Sequence, residues 1–153
     1  MRFHEWRRRV LSYDPRNLEN TPEDDVAFVD LIYQMEGSCS SDVIDVLLQI
    51  FSDKPDYGIQ ESVAAVLASA DPSLYIRRLL EHLEKLERRV PEWTVILMSG
   101  VVQFHSKELV KEAKNADKLH QRKLIDYLLR NQDDFAEYSP NAVELADRIA
   151  KGV

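Results

Sequence analysis

Disulfide chemistry is the first thing this chain goes without: Cys39 is its only cysteine. A single cysteine excludes an intramolecular disulfide and any multi-cysteine metal site, and Cys39 reads as a small loop or cap residue. Glycine and proline are scarce, four and six in 153 residues. That leaves little room for disordered linkers or repeated hairpins. No apolar run approaches the roughly 18 residues of a membrane span. The N-terminal arginines are not followed by an apolar stretch of signal-peptide type, so the expected location is the cytoplasm, with no membrane partner.

Catalytic signatures are missing as well. There is no glycine-rich phosphate loop, no GxSxG and no HExxH. His4, His82, His105 and His120 lie far apart in the chain, and each reads as a surface or helix-end residue rather than a metal ligand. Asp24–Asp25 and Asp133–Asp134 are adjacent pairs. Neighbours on a helix point in different directions, so these acids suit helix-dipole or solvation roles better than an acid/base dyad. We expect no enzyme, no cofactor and no metal.

What is present is helix. The 44 % hydrophobic and 31 % charged residues are those of a globular protein, and the length suits one domain, residues 1–153, with a real core. The chain is organised around Asp56–Phe104. Asp56 and Asp71 are placed to accept from free N–H groups at helix starts, and Pro72 and Pro91 suit first helical positions. Val63–Leu67 and Val95–Met98 are apolar on nearly all sides and predict buried helices; Val66, Leu67, Ile96 and Leu97 are core candidates. Between them Ser73–Arg89 is amphipathic and is expected on the outside.

The other segments follow the same logic. In residues 1–20, Phe3, Trp6, Val10 and Leu11 recur at helical spacing and predict a short helix or docked arm. Arg7–Arg9 beside them would pair with the acids that follow. Thr21-Pro22-Glu23-Asp24 predicts a helix start, with Thr21 as cap. Ser40 or Ser41 caps a helix carrying Val43, Val46, Leu47, Ile50 and Phe51, and Asp53-Lys54-Pro55 makes a turn. Ser106 is expected to cap a short segment, Asn115-Ala116-Asp117 to break it, and Pro140 to open the last helix. No alternating strand pattern occurs. Helix starts near 41, 56, 72, 91, 106 and 117 pair at roughly 30 to 35 residues. That predicts an all-α fold, an irregular α-solenoid of HEAT- or armadillo-like hairpins, with a compact irregular helical bundle as the alternative.

Charge is uneven. From Asp14 to Glu61 there are twelve acids against Arg16 and Lys54, whereas Pro72–Arg130 has twelve bases and eight acids. The net charge of −7 therefore arises in the first helices. Such a field repels nucleic acid and attracts a basic partner. In the second half, Lys107, Lys111, Lys114, Lys118, Arg122 and Lys123 form a basic stripe. Glu108 and Glu112 interleave with it as i,i+4 partners would.

The run "YGIQESVAAVLAS", then Tyr75 before "IRRLLEHLEKL", then "RVPEWTVILMSGVV" and finally "HQRKLIDYLLRN" resembles the helical immunity proteins of bacterial polymorphic toxin and contact-dependent growth inhibition systems. The similarity is to the family called immunity protein thirty, over residues 42 to 130, with Pro91-Glu92-Trp93 its most specific piece. The resemblance implies an antitoxin that binds a cognate toxin domain, expected to be a basic nuclease, and occludes it without catalysis. Acids near helix ends are then the candidate partner-binding residues: Asp24, Asp25, Asp53, Asp56 and Glu61, with Tyr57 as an aromatic anchor. Trp93 suits the core better than a contact. Two alternatives stay open, a helical-repeat adaptor for another cellular protein and a nucleic-acid-binding helical-repeat protein. Every apolar pattern here has a period near 3.6, so far-ultraviolet circular dichroism should show the helical double minimum; a strand-type spectrum would contradict all of these readings.

Overall fold

The computed structural model describes residues 1–54, 56 and 58–151. Among them there are nine α-helices, one short 3-10 turn and no strand. No described helix is long and apolar enough to cross a membrane. Where the sequence predicts one repeat domain, the chain forms two compact units, Met1–Asp71 and Pro72–Val153.

The first unit holds α1 (Phe3–Ser12), α2 (Pro22–Tyr33), α3 (Ser41–Leu48) and α4 (Ile59–Ala68). The expected N-terminal helix is present and docked. Trp6 is fully buried with Val10, and its indole Nε1–H donates to the Leu31 carbonyl at 2.9 Å. A buried indole needs such an acceptor; here it pins α1 to α2. Of the three neighbouring arginines, Arg7 and Arg8 are exposed. Arg9 pairs at 3.1 Å with Glu5, which precedes it, rather than with the acids that follow.

The Thr21 start is a full capping box. Thr21 accepts from the Asp24 N–H, and the Asp24 carboxylate accepts from the Thr21 N–H. Ser40, not Ser41, caps α3. Gly37 follows α2 at φ +73°, in the left-handed region that a β-carbon disfavours. From there its N–H donates to the Ser69 hydroxyl at 2.9 Å, joining the C-terminal ends of α2 and α4. The core of this unit includes Phe28, Ile32, Ile44, Leu47, Phe51, Val63, Val66 and Leu67.

The second unit holds α5 (Pro72–Arg89), α6 (Pro91–Phe104), α7 (Ser106–Asn115), α8 (Lys118–Arg130), the 3-10 turn Gln132–Phe135 and α9 (Ala142–Ala150). As expected of an amphipathic outer helix, α5 turns one face inward, packing on α6, α7 and α8. One face buries Tyr75, Ile76, Leu79, Leu80, Leu83 and Leu86, and its charged face stays in solvent. Three helix starts differ from expectation. Ser106 is the first residue of α7 and caps nothing. Asp117 is a cap rather than a breaker, accepting from the His120 N–H. Pro140 precedes the last helix, which Asn141 caps by accepting from Glu144.

The all-round apolar segment of α6 is only partly buried. Leu97 and Met98 are covered, but Ile96 is 53 % exposed. The fourteen-residue α6 packs chiefly on α5, α7 and the 3-10 turn, and Ile96 stays partly outside that packing. Trp93 is half-buried. Thr94 is fully buried, its hydroxyl donating to the Val90 carbonyl at 2.8 Å. Leu67→Ala should cost about 2–5 kcal/mol from lost burial and the cavity left behind. Ile96→Ala should cost under about 1 kcal/mol, as for other surface changes. Chemical denaturation measures both, and equal losses would contradict this burial pattern.

Candidate functional site

The acidic third of the chain folds into the first unit, and short-range chemistry decides which of its acids face solvent. At the start of α2 the side chain of Tyr13 stacks on Phe28, with ring centroids 4.4 Å apart, and its hydroxyl donates to Asp25. Burial, then that hydrogen bond and the neighbouring charges of Asp25, Asp24 and Asp14, raise the phenol's pKa. Asp24 is exposed but committed to the capping box. Asp25 is half-buried.

Residues 13–16 link this helix end to the connection between α3 and α4. Arg16 bonds Asp14 at 2.9 Å and also reaches the Ser52 hydroxyl. Those contacts, the Arg16 N–H foremost, hold the Asp14 carboxyl below the ordinary carboxylate range. The connection is itself tied down by Gln60, which is 2 % exposed. Its amide oxygen accepts from the Ser52 N–H, and its Nε2 donates to the Lys54 carbonyl at 3.0 Å. Asp53 sits in this bend with its side chain in solvent.

Asp56 departs from its expected role. The residue flanking α4 is Gly58, at φ +91°, so Asp56 lies before the cap position. Its carboxylate is only 4 % exposed. Oδ1 accepts weakly from the Gln60 N–H at 3.4 Å, and Oδ2 has no partner. Burial first, and the Glu61 charge among the smaller causes, push its pKa up. A buried, protonation-prone acid cannot serve as an exposed steering charge. Glu61, in the first turn of α4, is exposed. Tyr57 lies outside the described residues. The structure thus gathers Asp24, Asp25 and Asp53 around the 13–16 segment and sets Glu61 beside Asp56.

The second unit holds a constellation that sequence reading missed. His120 Nδ1 is 2.8 Å from the Asp117 carboxylate, and Nε2 is 3.4 Å from Glu81 on α5. The cap bond from the His120 N–H holds Asp117's pKa down. Beside it Arg77 reaches the buried Glu112 at 3.4 Å, and these side chains line a cleft of about 250 Å³. The Asp117–His120 spacing is a cap spacing and could have been noticed; Glu81 is 39 residues away and could not. Both ring nitrogens already face carboxylates, so His120 serves to join α8 to α5. Glu112 likewise bonds across helices, as does Lys123 with Glu84; no base stands four residues from Glu108 or Glu112, so the expected i,i+4 pairing is not available to them. Among the described residues no cluster of three or more His, Cys, Asp or Glu side chains is placed to hold a metal ion.

Asp56 gives a pH test. Its folded pKa is raised, so ionisation disfavours the fold. The penalty is absent below the ordinary carboxylate range, grows as pH rises toward the folded value, and is complete above it. Asp56→Asn keeps an acceptor while removing the charge. It should stabilise the protein at neutral pH, and the gain should vanish in acid. Thermal melts across pH check this; a destabilised variant at pH 7 would show that the carboxylate is needed ionised.

Comparison of the chain with protein-family models, with curated proteins and with solved structures finds no match.

Proposed function

We propose that this protein is a cytoplasmic immunity protein: it binds a basic toxin domain, expected to be a nuclease, and occludes it without catalysis. The observation that carries this reading is the surface of the first unit. Glu23, Asp30, Glu36, Asp42, Asp53 and Glu61 are all exposed, and none forms an ion pair among the described residues. Between Asp14 and Glu61 there are two bases, of which Arg16 is engaged by Asp14; the exposed Arg7 and Arg8 lie outside that stretch, on α1. Uncompensated carboxylates on rigid helices steer a basic partner and repel nucleic acid. A nuclease grips phosphate with cationic side chains, so such a surface competes for the same groups.

The motif resemblance to immunity proteins supports the same reading. So does the packing of helices two apart in sequence, α2 on α4, α5 on α7 and α7 on α9. Successive hairpins of a HEAT- or armadillo-like array stack this way. The adaptor alternative differs only in the identity of the partner, which the gene neighbourhood decides.

The partner contact falls to Asp53 and Glu61 first, because Asp56 is buried and Asp24 is engaged in its cap. A toxin domain encoded just upstream should form a complex with this chain, and co-expression should protect cells. Asp53→Lys with Glu61→Lys should weaken the complex by about tenfold or more. The melting temperature should barely move, because these are exposed charges. A folded double variant that binds and protects as well as the parent would contradict the proposal.

A further inference from the structure

One seam of the second unit is a ladder of ion pairs, and one rung can change its charge near neutral pH. Along α5, Glu81, Glu84 and Glu87 reach across to His120, Lys123 and Arg130 of α8. Lysine and arginine keep their charge throughout the physiological range, whereas an imidazole gains and loses a proton within it. The Glu81–His120 rung is the one that pH can set.

The ring's surroundings ask for two donors. Nδ1 is 2.8 Å from Asp117, and Nε2 is 3.4 Å from Glu81. An ionised carboxylate only accepts, an imidazolium presents an N–H at each nitrogen, and a neutral imidazole has one N–H. The shorter contact, to the cap residue of the same helix, claims that one. Nε2 then turns a lone pair toward the Glu81 carboxylate, and the contact between helices is lost. The His120 side chain is 22 % exposed, so exchange of this proton needs no unfolding.

The other charges around the ring are few. Arg77 and Arg78 of α5 and the buried Glu112 of α7 line the same cleft, with Arg77 bound to Glu112. Among the described residues none on α9 lines it, although α9 packs on α8. Lys118 and Arg122 of α8 itself are exposed. Three carboxylates against two guanidiniums leave the cleft net negative before the ring is counted. The next residue carries the effect onward: Gln121 Nε2 donates to the Lys114 and Ala116 carbonyls, each at 3.1 Å, bracing the corner between α7 and α8.

We infer that His120 is a proton-controlled latch. With its proton bound it ties the first turns of α8, and the α7–α8 corner with them, to α5. When the proton leaves, Glu81 lets go, while Lys123 and Arg130 hold the rest of the helix. The inference does not depend on the partner proposed above.

Nuclear magnetic resonance of the full chain between about pH 5 and pH 8 tests it. Ring ¹⁵N shifts follow the His120 proton and should show Nδ1–H as the neutral tautomer. Amide protection of Gln121, Arg122 and Lys123, corrected for intrinsic exchange, should fall about two- to fivefold as that proton leaves, the size of a partly exposed ion pair. Protection near Arg130 should stay constant. Glu81→Gln and His120→Gln should each remove this pH dependence; Glu81 is exposed, so the first variant should fold, and its other histidines still titrate. Protection that is flat with pH in the parent, a neutral tautomer with its proton on Nε2, or the same pH dependence in Glu81→Gln would each overturn the inference.

Discussion

A helix of eight to fourteen residues does not hold itself together in water. Nucleation is costly, and isolated helices below about 12–15 residues are marginal whatever their composition. Eight of the described helices fall at or below that length, from the 8 residues of α3 to the 14 of α6; only α5, at 18, exceeds it. Burial of apolar faces against neighbours is therefore what the fold depends on, and each unit has its own core. In the first, the Trp6 indole supplies both a large apolar surface and a directed bond to Leu31. In the second, the long α5 gives α6, α7 and α8 a common apolar face.

With the cores fixed, the polar residues divide into those that finish the fold and those left over. Thr21, Ser40, Asp117 and Asn141 satisfy helix N-termini, which would otherwise leave free N–H groups. Gln60 holds the α3–α4 connection. Arg130 and Glu87 brace α8 against α5. The acids of the first unit outnumber these structural tasks. Asp24, Asp25 and Asp14 are consumed locally, whereas Asp53 and Glu61 are not. That surplus of exposed carboxylates, which form no ion pair among the described residues, is the physical content of the proposed antitoxin role.

Much of this was legible in the sequence, and the failures have definite causes. Periodicity found the helices, including α1 from Phe3, Trp6 and Val10, because a 3.6-residue repeat is a local property. Thr21 was read correctly since Pro22 and Asp24 agree with it. Asp56, Ser106 and Pro140 were misplaced by a few residues, where one start signal stood alone and Gly58, His105 and Asn141 took the flanking position instead. Ile96 failed for a different reason: composition shows that α6 is apolar on all sides, but not how many neighbours arrive to cover it. The Asp117–His120–Glu81 group and the Tyr13–Asp25 bond join separate elements, and no spacing rule reveals those. The division into two units was not visible either, since Asp71-Pro72 reads as one more helix start among several.

In the proposed function, unpaired acids on the first unit draw in a basic partner. Association kinetics measured against salt concentration test it most directly. Electrostatic steering acts before contact and is screened over about 10 Å at 0.1 M salt. The association rate with the toxin domain should fall steeply as salt rises, while the dissociation rate changes much less. An association rate that is flat across that range would contradict the claim.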